Sequence, residues 1–331
     1  MALIEFSGVT KVFYVPAPQP GRLGALKALL RPRCIPRVAV DNVTFSIEEG
    51  ELLGYIGPNG AGKSTTVKLL SGVLVPTRGE VRVAGMVPWK RRAHNSRRIG
   101  VVFGQRTQLW WDLPVRDSFE LLRHIYDLTP QQYRRNLGEL CEVLDLGPLL
   151  DTPVRLLSLG QRMRADLAAA LLHGPSVLYL DEPTIGLDVV GRQRIREFVA
   201  WLNRERRATV ILTTHDLRDV ERLCRRVLVI DRGRIVYDGT IGRLRELYGP
   251  TRTLVVDLEE DVGDVELPGA RLVRSEDRRR WFEFDRASQS ASRLVASVLQ
   301  RWPVRDVAIE EPDIESVVRA IYERGAQGEG A

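Results

Sequence analysis

The chain has 331 residues, of which 44% are hydrophobic and 28% are charged, and its formal net charge is +6. This length and mixture predict a folded protein of about two domains. No stretch approaches the roughly 18 apolar residues of a membrane helix, and the N-terminus has no signal-peptide pattern. The three cysteines and four histidines lack the spacing of a disulfide framework or a zinc site, which predicts free thiols in a reducing compartment. The positive charge suits either nucleic acid or anionic lipid headgroups, so charge alone does not identify a partner.

The N-terminal part of the chain divides into two segments. Residues 3–14 alternate in polarity, which predicts an opening strand. Residues 16–37 contain several prolines and glycines and five basic residues but no acidic residue. This composition predicts a basic insert, with a short helix at Leu23–Leu30, after which regular structure resumes at Val38.

From residue 51 to residue 247, apolar strand-like runs alternate with helical patterns. The clearest runs are Leu52–Ile56, Ile99–Phe103, Val177–Leu180, Val210–Thr213 and Val227–Ile230. Such an alternation predicts an α/β fold with a largely parallel sheet.

Residues 112–173 interrupt this alternation, because they contain no convincing strand. Ser118 is expected to cap one helix, and Thr129 a second one that has Pro130 at its first position. The block therefore predicts a helical subdomain inserted in the sheet domain.

The pattern changes again after Gly249, where short strands and two helices are expected. Residues 250–331 are therefore predicted to form a small α+β domain, separate from a first domain of residues 1–249. Asp313 is expected to cap the last helix, which should end near Tyr322 and leave a frayed tail at residues 326–331.

The strongest motif directly follows the strand Leu52–Ile56. Its residues are Gly57, Pro58, Asn59, Gly60, Ala61, Gly62, Lys63, Ser64 and Thr65. They fit the pattern G-x-x-x-x-G-K-[ST] between a strand and a helix, in which backbone N–H groups and the helix N-terminus surround phosphate oxygens. Lys63 is expected to reach the β- and γ-phosphates of ATP, and the Ser64 hydroxyl to bind Mg²⁺.

A second motif ends the apolar run Val177–Leu180, where two carboxylates follow each other. Asp181 is expected to hold the Mg²⁺ shell. Glu182 points in a different direction because it is the next residue, and it is expected to polarise the attacking water as a general base. The alternative is a strand that simply ends in a polar turn, which the phosphate-binding motif makes a weak explanation.

Between these motifs lies Leu157-Ser158-Leu159-Gly160-Gln161. This segment resembles LSGGQ, the signature of ABC-type ATPases, with Leu159 where glycine is usual. Ser158 and Gly160, the two positions that the family places against the γ-phosphate, are kept. The three motifs in this order make residues 3–247 similar to an ABC ATPase domain, and the fold that the resemblance implies is a P-loop ABC ATPase with an inserted helical subdomain.

The resemblance assigns roles to further polar residues. Gln105 resembles the loop glutamine that joins the sheet domain to the helical subdomain and contacts the metal, and spacing favours it over Gln108. His215, after the run Val210–Thr213, resembles the histidine that senses the γ-phosphate. Asp188 resembles the polar residue of the loop that contacts the partner subunit.

Phe13 resembles the aromatic residue that stacks on adenine in this family. Tyr14 is a rival for that role, and a place for Phe13 in the core stays an alternative.

Within the family, residues 182–188 and the appended C-terminal domain resemble the ABC-2 branch, which mostly serves exporters. Residues 103–114 and the basic insert resemble a bacterial subgroup of it. The resemblance implies ATP and Mg²⁺ as cofactors, an ABC-2 type transmembrane permease as partner, and a peripheral position at the cytoplasmic face of the plasma membrane. Since each phosphate loop is half a site, it also implies a homodimer, or a heterodimer with a homologous ATPase subunit.

Two other functions stay open. The first is a soluble ABC ATPase that acts on nucleic acid or ribosomes, which only the basic charge supports. Such relatives carry a long coiled-coil insert or tandem ATPase domains, and this chain has neither, so no nucleic acid partner is expected. The second is an importer ATPase, because the direction of transport follows from family likeness alone.

Trp110 and Trp111 follow Gln105, at the junction where the family docks a cytoplasmic helix of the membrane subunit. Adjacent residues on a helix or strand point in different directions. We therefore expect one tryptophan to pack inward and the other to line the docking cleft, with both in the core as the alternative.

Overall fold

The computed structural model describes residues 2–17, 34–103, 106–214, 216–249, 251–263, 265–286, 288–312 and 314–327. The helix predicted at Leu23–Leu30 lies outside these residues. Contacts divide the chain into two compact units, Met1–Asp238 and Gly239–Ala331. The sequence placed this boundary after residue 249, but the helix Ile241–Tyr248 packs against the last helix and so belongs to the second unit.

The strands of the first unit build two sheets. They are β1 (Ala2–Pro16), β2 (Cys34–Glu48), β3 (Leu52–Ile56), β4 (Arg78–Val83), β5 (Ile99–Phe103), β6 (Val177–Asp181), β7 (Thr209–Thr214), β8 (Arg226–Asp231) and β9 (Arg234–Thr240). One sheet has the order β2-β1-β4 and is antiparallel, and the other has the order β5-β6-β7-β3-β8-β9. The neighbouring strands β5, β6, β7, β3 and β8 of the larger sheet pair in parallel. The carboxyl ends of β3, β6 and β7 therefore share one edge, where such sheets bind ligands.

Helices of the first unit follow the predicted pattern. They are α1 (Lys63–Leu70), α2 (Arg92–Ser96), α3 (Val115–Ile125), α4 (Pro130–Val143), α5 (Leu159–Leu171), α6 (Val189–Arg206) and α7 (Leu217–Leu223). Residues 112–173, all of them described, contain α3 to α5 and no strand. The helical character that the sequence predicted for this block is therefore present.

The helix starts show which capping expectations hold. Thr129 caps α4 in a capping box with Gln132, as predicted. Ser118 caps no helix, so that expectation is wrong. Helix α3 begins at Val115, after a proline, and the buried Ser118 hydroxyl accepts a hydrogen bond from the Trp110 N–H group at 3.2 Å. The hydroxyl thus holds the loop before the helix rather than the helix end.

The main core of the first unit lies between its two sheets and α1. Phe6 of β1 stacks on Phe45 of β2 with ring centroids 4.9 Å apart, and both belong to one buried cluster with Tyr55 of β3 and Val67 of α1. All five residues of β3 are buried. The core therefore fixes the strand before the phosphate-binding motif and the helix after it.

The second unit has an antiparallel sheet with strand order β11-β12-β10-β13. Its elements are α8 (Ile241–Tyr248), β10 (Thr251–Leu258), β11 (Arg271–Glu276), β12 (Arg279–Asp285), α9 (Ala291–Arg301), β13 (Val304–Glu310) and α10 (Ile314–Gln327). Leu254 and Phe282 of the sheet pack with Leu294 and Val298 of α9 in its core. This is the α+β arrangement that the sequence predicted.

The last helix is longer than expected, since α10 runs to Gln327 and not only to Tyr322. The cap predicted at Asp313 lies outside the described residues. In the part of the chain that the structure describes, no helix has the length and apolar character needed to cross a membrane.

Candidate functional site

The phosphate loop, residues 57–62, connects β3 to α1 at the carboxyl edge of the larger sheet. A Cβ atom on Gly57 would lie 2.3 Å from the carbonyl oxygen of Ile230, and one on Gly62 would lie 2.5 Å from that of Ala39. Gly62 also has a φ of +116°. Only glycine tolerates both the close approach and this backbone conformation. The loop is thus wrapped as tightly as the motif implied.

Lys63 is buried at the first position of α1. Its Nζ atom donates hydrogen bonds to the carbonyl oxygens of Gly57 at 2.7 Å and Pro58 at 3.2 Å. Burial lowers the pKa of Lys63, and the nearby charges of Glu182 and Asp181 oppose that shift. The ammonium group is therefore held inside the loop, near enough to both predicted carboxylates for their charges to act on it.

The two carboxylates stand at the end of β6 in different backbone conformations. The Thr213 hydroxyl of β7 donates a hydrogen bond to Oδ1 of Asp181 at 2.5 Å. Glu182 has a φ of +56°, in the left-handed region that side chains rarely adopt, and its N–H group donates to the Thr213 carbonyl oxygen at 2.9 Å. Such strain concentrates at functional sites. It turns Glu182 away from the strand direction that Asp181 continues.

The two carboxylates line one open cavity of about 420 Å³. Its lining residues are Ser64, Lys68, Val73, Phe103, Arg106, Asp181 and Glu182. The structure therefore brings together Ser64, Asp181 and Glu182, three residues that the sequence predicted for one site.

The oxygen donors of this cavity fit a magnesium ion that arrives with a nucleotide. Mg²⁺ in phosphoryl-transfer sites takes one or two protein oxygens and completes its shell with phosphate oxygens and water. Ser64 and Asp181 supply such oxygens from two walls of the cavity. Among the described residues, no group of three or more His, Cys, Asp or Glu side chains could hold a metal ion unaided.

Ser158 and Gly160 stand elsewhere, at the start of α5. The Ser158 hydroxyl accepts from the Gln161 N–H group at 3.3 Å, and the Gln161 side chain accepts from the Ser158 N–H group at 2.8 Å, in a capping box. Both residues line a groove of about 190 Å³ that Asp188 also lines, and neither lines the cavity of Asp181. The signature residues therefore line a groove that is separate from the cavity beside the phosphate loop of their own chain.

Leu159, the residue that departs from the usual signature, packs against the loop that precedes α6. Its Cδ2 atom lies 2.9 Å from the place that a Cβ atom on Gly186 would occupy. Gly186 has a φ of +72°, so a glycine there provides both the turn and the space. The larger side chain at position 159 is thus accommodated within the chain.

Asp188 acts as the N-cap of α6, where its Oδ1 atom accepts from the Gly191 N–H group at 2.7 Å. The carboxylate is therefore engaged locally, and its predicted contact with a partner subunit requires a second chain. Gln105 and His215 both lie outside the described residues. The rival of Gln105, Gln108, donates its side-chain amide to the carbonyl oxygen of Asp166 at 2.9 Å, so it is bonded to the signature helix.

Phe13 is half-buried on β1, whereas Tyr14 is 69% exposed. Phe13 pairs with Arg37 on β2, two residues from the Ala39 carbonyl group that touches the phosphate loop. The Lys11 ammonium lies 5.2 Å from the centroid of the Phe13 ring. These contacts leave the adenine role of Phe13 a prediction.

The expectation that one tryptophan packs inward is wrong, and so is the alternative that both lie in the core. Trp110 is 39% exposed and Trp111 is 50% exposed, so neither side chain packs in the core. The residues lie in an irregular loop, where the alternation of a strand or helix does not apply. The Arg162 guanidinium group lies 5.5 Å from the centroid of the Trp111 ring.

Sequence reasoning also missed residues that complete the site. Thr213 pairs with Asp181 in the register of β6 and β7, and a threonine at the end of an apolar strand is the signal that could have identified it. Arg106 lines the cavity, but no role was predicted for it. Asp166 is a carboxylate among apolar and small residues of α5, and that contrast was visible in the sequence.

Comparison with known proteins gives this geometry its context. The sequence model of the ABC transporter family matches residues 40–185. The chain is 32% identical over 208 residues to the ABC transporter ATP-binding protein NatA of Bacillus subtilis, a match that covers 63% of this chain and 84% of NatA. The chain belongs to the family of ABC transporter ATP-binding proteins.

Two further relatives agree with this assignment. The ABC ATPase is 36% identical over 266 residues to the Nod factor export ATP-binding protein I of Ralstonia nicotianae, across 78% of this chain and 79% of the relative. It also matches an ATP-binding cassette solved as a dimer with ADP and Pi, at a TM-score of 0.60 and 25% identity, across 72% of this chain and 98% of that chain. The predicted fold class is therefore confirmed, and the protein is an ATP-binding, ATP-hydrolysing subunit of an ABC transporter.

Proposed function

We propose that this ABC ATPase hydrolyses Mg·ATP at its phosphate loop and thereby drives an ABC-2 type exporter. The observation that carries the proposal is the convergence of Ser64, Asp181 and Glu182 on one cavity, beside the Lys63 ammonium group. These residues come from α1 and from the end of β6, at the edge where parallel sheets bind ligands.

Each side chain then has a defined role in the reaction. Lys63 gives up its bonds to the loop carbonyls and binds the β- and γ-phosphate oxygens. Ser64 and Asp181 hold Mg²⁺, which neutralises charge on the transferring phosphoryl group when it is bound. Glu182 accepts a proton from the attacking water as general base. We assign Gln105 to the metal and His215 to the γ-phosphate, as the family resemblance implies.

We further propose that two ATPase subunits close on two ATP molecules. The Ser158 hydroxyl and Gly160 line a groove apart from the cavity of their own chain, so they are free to contact ATP held by a second chain. Asp188 lines the same groove, which supports a role for it at the same interface. The solved cassette that matches this chain is dimeric, which supports this assembly.

Adenine binding and transport complete the proposal. Phe13 stacks on adenine, supported by its place on β1 near the phosphate loop. The subunit binds an ABC-2 type permease at the cytoplasmic face of the membrane and serves export. The similarity to a Nod factor export protein supports that direction.

The test of the site is a set of three variants measured for ATP binding and turnover. Glu182→Gln should keep ATP affinity and lower turnover by about 100-fold or more, because it removes the base and keeps the phosphate contacts. Lys63→Ala should weaken binding itself. Glu142→Gln, an exposed position on α4, is the matched control and should behave as wild type. Normal turnover by the Glu182→Gln protein would overturn the proposal.

A further inference from the structure

Asp166 is a buried carboxylate in the middle of α5, the helix that begins at Ser158. The residue is 5% exposed. Its buried neighbours on the helix are Met163, Ala165, Leu167, Ala168, Ala169, Ala170 and Leu171. An aspartate in the interior of a helix lowers the stability of that helix, and a buried carboxylate costs free energy unless it is hydrogen-bonded. Its place on this helix therefore depends on specific partners.

Those partners come from one short segment, residues 106–109, which follows Gln105 in the chain. The Thr107 hydroxyl donates to Oδ1 of Asp166 at 2.8 Å, and the Gln108 N–H group donates to the same atom at 3.0 Å. The Gln108 side chain donates to the Asp166 carbonyl oxygen at 2.9 Å. The Leu109 N–H group in turn donates to the Thr107 hydroxyl at 3.1 Å. One residue of α5 thus fixes the conformation of the segment.

This segment is continuous with the wall of the ATP cavity. Arg106 lines that cavity, and its N–H group donates to the carbonyl oxygen of Phe103, another lining residue, at 2.9 Å. On the α5 side of these hydrogen bonds, Ser158 lies eight residues before Asp166, or about 12 Å along a rigid helix. Asp166 therefore connects the cavity of its own chain to the groove that Ser158 and Gly160 line.

We propose that Asp166 is a positioning residue that fastens residues 106–109 to α5 and so sets where Ser158 and Gly160 stand. This inference rests on the proposed role of those two residues at the ATP of a second chain. Movement of the segment beside bound nucleotide is then passed to the signature residues through the Asp166 hydrogen bonds. Desolvation raises the pKa of Asp166 to about 6, while Thr107, Gln108 and Arg162 favour its charged form. The hydrogen bonds to residues 107 and 108 therefore offset part of the cost of burying the carboxylate.

The test uses the full chain and compares two substitutions of Asp166. Asp166→Asn keeps an oxygen that can accept from both donors, whereas Asp166→Ala removes it. The alanine variant should bind a fluorescent ATP analogue within about twofold of wild type, because Lys63 and the loop are untouched, and lose roughly tenfold in kcat. The asparagine variant should restore most of that kcat.

A second variant approaches the tie from its other side. Thr107→Val removes one donor and should lower kcat in the same direction with unchanged ATP affinity. In the double variant with Asp166→Ala, the two effects should not add, since both break one connection. Asn136→Ala is the matched control, because it cuts a buried hydrogen bond to the Leu172 carbonyl oxygen at the far end of α5. It should lower thermal stability and leave kcat unchanged.

Three outcomes overturn the inference: full kcat in Asp166→Ala, a parallel loss of ATP affinity and kcat, or a silent Thr107→Val beside an inactive Asp166→Ala. Ser158→Ala separates the inference from the proposed function. If Ser158→Ala loses turnover and Asp166→Ala does not, only the inference fails. If Ser158→Ala also keeps full turnover, the proposed two-chain site fails.

Discussion

Replacing Thr213 by valine keeps the shape of the side chain but removes its hydroxyl, which bonds to the Asp181 carboxylate and, at 3.4 Å, to the Leu180 carbonyl oxygen. Its hydroxyl donates to Oδ1 of Asp181 at 2.5 Å, and Thr213 is fully buried on β7. A hydrogen bond to a charged group contributes about 1.5–3 kcal/mol. If that free energy orients Asp181 in the transition state, turnover should fall by roughly 10- to 100-fold. The apparent affinity for Mg²⁺ should also fall, because Asp181 is its proposed ligand.

The same substitution four residues earlier provides a control for the loss of stability. Thr209 is also fully buried on β7, and its hydroxyl accepts from the Gly50 N–H group at 2.8 Å. Thr209→Val should therefore lower the free energy of unfolding by a similar amount, about 1–3 kcal/mol, at the edge of the sheet away from ATP. Steady-state ATPase rates over a range of Mg²⁺ concentrations compare the two variants. If their kcat values agree within about twofold, the orienting role of Thr213 is refuted.

Three more predictions follow from the described contacts. Gly62→Ala should abolish ATP binding, measured by titration with a fluorescent analogue, because its Cβ would lie 2.5 Å from a backbone oxygen at a φ of +116°; near-normal affinity would contradict this. The raised pKa of Asp166, about 6, contributes stability below pH 4 that is lost as pH rises through 6. The free energy of unfolding of Asp166→Asn, measured with denaturant, should therefore rise relative to that of wild type by up to about 3 kcal/mol between pH 4 and 7. A difference between the two proteins that does not change with pH would argue against this prediction. Trp110→Ala or Trp111→Ala should keep basal ATPase activity and lose stimulation by the permease; full stimulation in both would exclude docking there.

The sequence allowed the core of the fold and the phosphate loop to be predicted because both depend on local patterns. Leu52–Ile56 was predicted with its observed ends, since a buried strand is a continuous apolar run bounded by a glycine motif. The helix at Pro130 was equally local, with a threonine cap and a proline at its first position. Such features need no knowledge of distant residues.

The errors and omissions came from contacts that local sequence patterns do not predict. Ser118 had the composition of a helix cap, but its hydroxyl binds the Trp110 backbone and the helix starts three residues earlier. The ties of Asp181 to Thr213 and of Asp166 to Thr107 span 32 and 59 residues. The register of the sheet and the packing of α5 create these contacts, and no local spacing encodes them.

The bonds that Lys63 makes to the carbonyl oxygens of Gly57 and Pro58 affect how tightly ATP can be held. A free lysine loses about 2 kcal/mol of side-chain rotamer entropy when it is immobilised. Here that loss occurs when the chain folds, so nucleotide binding does not incur it again. The phosphates instead replace one set of acceptors by another around an ammonium group that is already in place. The affinity for ATP should therefore depend on how much better the phosphates accept than two loop carbonyls.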